Sequence, residues 1–191
     1  MNIFNIYISG VGGQGVGVLS ELIIRGADHC GKEAKAVDTH GLAQRGGVVE
    51  SFVRIGNNIH SPLIKDHEAD LVIALERHEA LRAINRFGKK AGTLAYFDAI
   101  WQPLEVRLGT SGEVTNSQIS ETAIRKNIKV LSMKPVEIPD TRMQNISLLS
   151  VIIKNSIIPG LTKECVIKAM SDFWDSATLE SNIRLIEKFS N

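Results

Sequence analysis

The sequence predicts an α/β fold with a mixed, mostly parallel sheet, and three patterns carry this prediction. A β-prone run at residues 3–9 leads into a glycine cluster and then into a helical pattern. An apolar run at 70–76 is followed by an amphipathic helix and a strand at 93–98, which is the order of a parallel β-α-β unit. A long apolar helix and two further helical patterns fill residues 143–189. We therefore expect helices on both faces of the sheet and a helical C-terminus.

The glycine cluster fits the pattern G-x-G-x-x-G, between a strand and a helix, where that pattern is meaningful. There the first glycine allows a sharp turn, the second lets the backbone approach a ligand, and the third lets the helix pack close to the strand. The N-terminus of the following helix offers free N–H groups to a phosphate or carboxylate. The pattern predicts a Rossmann-like first unit. The candidate ligand or interface residues are Gly10, Gly12, Gly13, Gln14 and Gly15.

The remaining strands follow in order along the chain. Gly31 is placed to stop the first helix, and a second strand is predicted at 35–38. The β-rich run 48–55 is followed by turn residues at 56–58, so we predict a hairpin insertion there and hence a mixed sheet. A helix at 118–127 precedes a last strand at 129–133. A length of 191 residues suits one domain, residues 1–191.

A second glycine-rich, polar loop follows the second strand, from His40 to Gly47. It brings an imidazole, an amide and a guanidinium within six positions, and its paired glycines allow close approach of the backbone. Ligands gather beyond the strand ends of open α/β sheets, so two such loops after consecutive strands favour a shared site. The candidates here are His40, Gln44, Arg45, Gly46 and Gly47; the alternative is a turn whose arginine is only solvated.

Asp38 lies 23 positions after Gly15, near the offset at which a dinucleotide-binding fold places the acid that binds the ribose. It is the main argument for a free-standing NAD(P)-binding oxidoreductase, although acids at strand ends are common in any α/β protein. Asp38 is therefore a candidate site residue under that alternative.

The composition limits the classes of partner and compartment. Hydrophobic residues make up 43% of the chain, charged residues 23%, and the formal net charge is +1, which gives no reason to expect nucleic acid. No apolar run suggests a membrane helix, and the start lacks a secretion signal, so we expect a soluble, cytoplasmic chain. Cys30 and Cys165 form no C-x-x-C pair, and we expect two reduced, mostly buried thiols that supply neither a zinc nor an iron–sulfur site.

Motifs for catalysis are missing from the sequence. There is no H-E-x-x-H metal motif, no G-x-S-x-G nucleophile elbow and no Walker lysine after the first glycine loop. Nor is there a G-D-G…N motif of the kind that binds thiamine diphosphate and magnesium. The sequence therefore predicts a binding domain with no catalytic residues and no metal ligands of its own.

The two loops together resemble a known family. Gly10-Val-Gly-Gly-Gln-Gly15 and His40-Gly-Leu-Ala-Gln-Arg-Gly-Gly47, with Asn145 opening the apolar helix, resemble the gamma-type subunit of 2-oxoacid:ferredoxin oxidoreductases. Within that group the sequence looks most like the beta subunit of indolepyruvate ferredoxin oxidoreductases, and the resemblance covers nearly the whole chain. One departure is Ser150, where a glycine would be expected in the apolar helix.

The resemblance implies a partner subunit of a larger oxidoreductase, which acts on the oxo group of its donor with an iron–sulfur protein as acceptor. Thiamine diphosphate, Mg and 4Fe-4S clusters are then expected on the catalytic partner subunit, with none in this chain, and coenzyme A is the co-substrate. Ferredoxin is expected to interact with the complex and not with this chain alone. For the isolated chain, the oligomeric state considered is a homodimer. The gamma-type domain packs beside the thiamine site. Asn145, which matches the family at the start of the apolar helix, joins the candidate residues. A scaffold or regulator that keeps only the fold is the third hypothesis.

Overall fold

The computed structural model describes residues 2–40, 47–101, 106, 108–109, 112–138 and 140–190, without the side chains of His40 and Ser190. Six strands form one sheet. They are β1 (Phe4–Val11), β2 (Ala34–His40), β3 (Val48–Ile55), β4 (Ala69–Ala74), β5 (Gly88–Phe97) and β6 (Lys129–Met133). The helices are α1 (Val16–His29), α2 (Arg77–Arg86), α3 (Asn116–Lys126), α4 (Gln144–Lys154), α5 (Lys163–Ser171) and α6 (Ser176–Ser190), with short 3₁₀ turns at Pro135–Glu137 and Thr141–Met143.

The strand order is β2-β3-β1-β4-β5-β6, and it confirms the prediction of a mixed, mostly parallel sheet. Strand β1 runs parallel to β4, β4 to β5 and β5 to β6. Strand β3 is antiparallel to both of its neighbours, β1 and β2. Five strands therefore end at one edge of the sheet, which we call the carboxyl edge, and β3 begins there.

The predicted hairpin at residues 56–58 is wrong. Strand β3 ends at Ile55, and residues 59–60 after the turn form no strand. The antiparallel pairing comes instead from β2 and β3, whose connection begins after His40 at the carboxyl edge. The turn chemistry of Gly56 and Asn58 is real, since both have positive φ, but it leads into an irregular segment.

Helices cover both faces of the sheet, as predicted. On one face, α1, α4, α5 and α6 pack over a core that includes Ile8, Leu19 and Leu149. On the other face, α2 and α3 pack over a second cluster around Tyr7 and Leu94. Ser150, where the family resemblance led us to expect glycine, is fully buried in α4, and its hydroxyl donates to the Ile146 carbonyl at 2.8 Å. Among the helices of the described part of the chain, none combines the length and apolarity that crossing a bilayer requires.

The prediction of two reduced, buried thiols is wrong. Cys30 and Cys165 form a disulfide with Cα atoms 5.8 Å apart, and both residues are partly exposed. The helices bring them together, because α1 and α5 pack closely where Gly26 faces Leu161 and Val166. A separation of 135 residues hid this pairing from any argument based on spacing.

Candidate functional site

The two glycine-rich loops meet at the carboxyl edge. Gly12 N–H donates to the Gly47 carbonyl at 3.0 Å, which joins the loop after β1 to the start of β3. His40 ends β2 and pairs with Val49. Gln44, Arg45 and Gly46, which the sequence made candidates, lie outside the described residues. The described ends of both loops thus lie side by side.

Gln14 holds the first loop in shape. Its Oε1 accepts a hydrogen bond from Val11 N–H at 2.7 Å, and its Nε2 donates to the Leu75 carbonyl at 3.3 Å, beyond the end of β4. A Cβ at Gly10 would lie 2.9 Å from Gln14 Oε1 and 3.1 Å from Leu75 Cβ, so glycine is required by close packing. The Gln14 amide is therefore engaged with the loop's own backbone.

Gly15 and Asn145 form the join between the loop and the helical layer. Gly15 precedes α1 with φ +82°, in the left-handed region that favours glycine. Asn145, in the first turn of α4 and 6% exposed, donates from Nδ2 to the Gly15 carbonyl at 3.3 Å, while its Oδ1 accepts from Ile146 N–H. The two residues that the sequence placed 130 positions apart are thus in direct contact.

The N-terminus of α1 carries no side-chain cap and no acidic residue in its first turn. Its partial positive charge therefore favours a negative group nearby. Asp38, which is exposed on β2, has Oδ2 3.5 Å from the position that a Cβ on Gly17 would take. The carboxylate of Asp38 lies beside the first turn of the helix.

Two cavities flank the first loop, and both are lined by Gly13, Gln14 and Arg142. The first, of about 400 Å³, has an apolar wall. Its other lining residues are Gly12, Phe97, Ala99, Ile100, Trp101, Thr141 and Gln144. The second, of about 370 Å³, is bounded by α4 and α6 and includes Asn145, Trp174 and Asn182. The loop therefore forms a ridge between an apolar cavity and a more polar one.

Sequence reasoning missed Trp101 and Arg142. Trp101 follows β5 at the carboxyl edge, so asking what comes after each parallel strand could have identified it. Arg142 lies in a short 3₁₀ turn, and no pattern in the sequence marks it. Its side chain is 90% exposed and pairs with Asp140, with 2.6 Å between Nη2 and Oδ2. That ion pair raises the pKa of Arg142 and lowers the pKa of Asp140.

A polar network fixes the end of β5 near the first cavity. Asp98 pairs with Arg77 Nε and accepts from Asn116 Nδ2 at 3.0 Å, and the Tyr96 hydroxyl donates to Asn116 Oδ1. Burial alone would raise the pKa of Asp98, but the hydrogen bonds from Arg77 and Asn116 outweigh it and lower the pKa. The carboxylate is thus charged at neutral pH, and it joins β5, α2 and α3.

Glu79 is a buried acid on α2, and we expect it to make stability depend on pH. Burial raises the pKa of Glu79 to about 7; Arg82 lowers it, and Glu76 and Glu50 raise it. Folding therefore favours the protonated acid. This contribution is fully present below the ordinary pKa of 4.5 and is lost as the pH rises through 7.

The variant Glu79→Gln should remove this dependence, which is worth on the order of 3 kcal/mol between pH 4.5 and 8. Urea unfolding at pH 5, 6, 7 and 8 checks it, with the exposed Glu121→Gln as control. Parallel pH profiles for Glu79→Gln and the wild type would contradict the assignment.

Within the described ranges, no group of three or more His, Cys, Asp or Glu side chains is arranged to hold a metal ion. The described carboxyl edge offers hydrogen-bond donors, one exposed guanidinium and apolar surface, but no arrangement of nucleophile and base. Its chemistry is that of a binding surface.

A family described as pyruvate ferredoxin/flavodoxin oxidoreductase matches residues 5–189. The chain belongs to this family. The family resemblance drawn from the two loops is thereby confirmed, and the match covers nearly the whole of the chain.

Curated relatives of the chain share one name, indolepyruvate oxidoreductase subunit IorB. The protein from Methanothermobacter thermautotrophicus is 31% identical over 186 residues, which cover 95% of this chain and 93% of the relative. The one from Archaeoglobus fulgidus is 51% identical over 78 residues, which span 41% of this chain and 38% of that relative's length.

Solved structures share the fold. The gamma subunit of keto/oxoacid ferredoxin oxidoreductase from Geobacter sulfurreducens has a TM-score of 0.69 at 19% identity and covers 98% of this chain and 96% of that one. The 2-oxoglutarate:ferredoxin oxidoreductase from Magnetococcus marinus has a TM-score of 0.70 at 15% identity, and the match covers 98% of this chain but 30% of that one. The same fold therefore also occurs as part of a much longer polypeptide.

Proposed function

We propose that this chain is the small partner subunit of a thiamine diphosphate-dependent 2-oxoacid:ferredoxin oxidoreductase. The complex would oxidatively decarboxylate indolepyruvate or another aryl pyruvate to the acyl-CoA and pass the electrons to ferredoxin, in the cytoplasm. The relatives named IorB support this assignment. In this proposal, the carboxyl edge is the face that the catalytic subunit covers.

The observation that carries the proposal is the joined-loop edge with its two open cavities. Gly13, Gln14 and Arg142 lie on both cavities, while Trp101 is 52% exposed and Ile100 is 41% exposed at the rim of the first. Exposed aromatic residues and arginine beside a rigid loop are typical of protein interfaces. The described edge offers groups that can bind a ligand or partner and no evident catalytic groups, which suits a subunit that completes another subunit's site.

The donor atoms of the described residues favour a cofactor site on the partner subunit. Thiamine diphosphate supplies carbanion stabilisation when bound, and its Mg²⁺ requires clustered oxygen ligands. The described residues hold no cluster of metal-ligating side chains, and both cysteines are consumed in the disulfide. Magnesium, thiamine diphosphate and 4Fe-4S clusters therefore belong on the catalytic subunit in this proposal, and coenzyme A enters as co-substrate.

The topology disfavours the NAD(P) alternative. A dinucleotide-binding fold places the strand that carries the ribose-binding acid directly beside β1. Here β3 lies between β1 and β2, so the strand of Asp38 is roughly 10 Å from β1. Calorimetric titration of the isolated chain with NAD and NADP tests this point, and we expect no heat at millimolar ligand.

Reconstitution tests the proposed function. The chain, co-expressed with a subunit that carries thiamine and cluster motifs, should form a stable complex that reduces viologen with aryl pyruvate and coenzyme A. Light scattering of the chain purified alone separates a monomer from the homodimer. Full activity of the catalytic subunit without this chain would contradict the proposal.

A further inference from the structure

The apolar cavity beside the glycine loop has the composition of a small-molecule pocket. Its volume of about 400 Å³ lies within the range of about 300–1,000 Å³ that ligand pockets occupy. Phe97, Ala99, Ile100 and Trp101 form the apolar wall, and Arg142 and Gln144 contribute polar groups. We call this space the Trp101 pocket.

Trp101 is the unusual member of the wall. Large aromatic side chains normally bury most of their area, yet Trp101 is 52% exposed while Phe97 in the same wall is fully buried. The wall therefore has a fixed apolar floor and an indole whose surface is free to pack against another planar ring. Aromatic pairs in offset-stacked or edge-to-face contact are favourable beyond the area they bury.

Arg142 gives the same pocket a site for negative charge. Its Nε and Nη2 engage Asp140, at 2.9 Å and 2.6 Å from Oδ2, and this exposed ion pair lies beside the cavity. A guanidinium carries five N–H donors in a planar fork that suits carboxylates, so the pairing with Asp140 leaves donors for an anion. The pocket thus combines an aromatic surface with a cation, which suits a planar aromatic ring that carries a carboxylate.

Resting on the proposed function, we infer that the Trp101 pocket receives the aryl group of the 2-oxoacid. The ring packs against Trp101, and the negative charge of the acid lies toward Arg142. This chain would then contribute a specificity-determining residue, Trp101, to a reaction whose cofactors lie on the partner. A small aliphatic 2-oxoacid has no ring to place there and gains nothing from Trp101.

Steady-state kinetics of the reconstituted complex tests the inference with Trp101→Ala. At a saturating concentration of this chain, so that weaker docking does not enter, we expect the KM for indolepyruvate and phenylpyruvate to rise about tenfold, while the KM for pyruvate and kcat change less than twofold. Trp101→Phe should restore most of the aryl preference because it keeps a ring. Arg142→Gln should raise the KM of all three acids together, since each carries the carboxylate.

Leu63→Ala is the control, because Leu63 is 58% exposed and lies away from both cavities. It should leave every constant unchanged. Equal shifts for aryl and aliphatic acids in Trp101→Ala would overturn the inference and indicate a docking role, and unchanged constants would overturn it as well. A wild-type pair that forms no active complex would instead be a failure of the proposed function.

Discussion

Replacing Gly15 with alanine is expected to lower the free energy of unfolding by about 2–4 kcal/mol and the activity of the reconstituted complex by roughly tenfold or more. Gly15 has φ +82°, which is strained for alanine. The new Cβ would also overlap Asn145 Nδ2 and stand 3.2 Å from its Cγ. Asn145 cannot move away without losing hydrogen bonds, because it is buried and both polar atoms of its amide are used.

Gly31→Ala is the matched control for that variant. Gly31 also has a positive φ, +68°, but a Cβ there would meet no atom within 4 Å. It lies past the opposite end of α1, about 20 Å from the loop. We expect a loss of about 1 kcal/mol from strain and unchanged activity. Equal losses of activity in the two variants would contradict a special role for the loop.

Removal of the disulfide is expected to produce a large loss of stability. The bond closes a loop of 135 residues, and the chain-entropy relation gives about 5 kcal/mol for a loop of that size, with about 2–4 kcal/mol typical of measured disulfides. For a chain of this length the melting temperature should fall by about 10 °C. The contacts of α1 with α5 and with the residues just after it remain, including Arg25 over Phe173 and His29 with Asp172, so the folded structure should persist.

Differential scanning calorimetry of the wild type, with and without reductant, checks this expectation. The double variant Cys30→Ser/Cys165→Ser is measured in the same way. The double variant should have the same melting temperature as the reduced wild type. Thiol titration of the unreduced wild type should find no free thiol. Two titratable thiols, or an unchanged melting temperature in reductant, would contradict the pairing.

Local sequence patterns predicted most of the fold. The glycine pattern identified the passage from β1 to α1, and the apolar run at 70–76 identified β4 and the parallel unit that follows it. These elements are specified by residues close in sequence, where periodicity and turn chemistry act. The hairpin prediction was wrong because turn residues at 56–58 indicate that the chain bends there. They do not indicate whether a strand follows or which strand it would pair with.

The parts of the site that the sequence missed depend on contacts between distant segments. Trp101 and Arg142 line one cavity only because β5 and the segment before α4 end at the same edge. Cys30 and Cys165 meet only because α5 packs on α1. Asn145 became a candidate through the family resemblance, since no local pattern links it to Gly15. Neither composition nor spacing encodes such contacts directly.

Hydrogen exchange of the chain, alone and in the reconstituted complex, tests whether the catalytic subunit covers the carboxyl edge. If the carboxyl edge faces the catalytic subunit, new protection should concentrate in residues 12–15, 99–101 and 140–146. The opposite edge, at residues 89–93 and 156–157, should exchange as it does in the free chain. Protection at that opposite edge, with the glycine loop unchanged, would show that the catalytic subunit binds elsewhere on the chain.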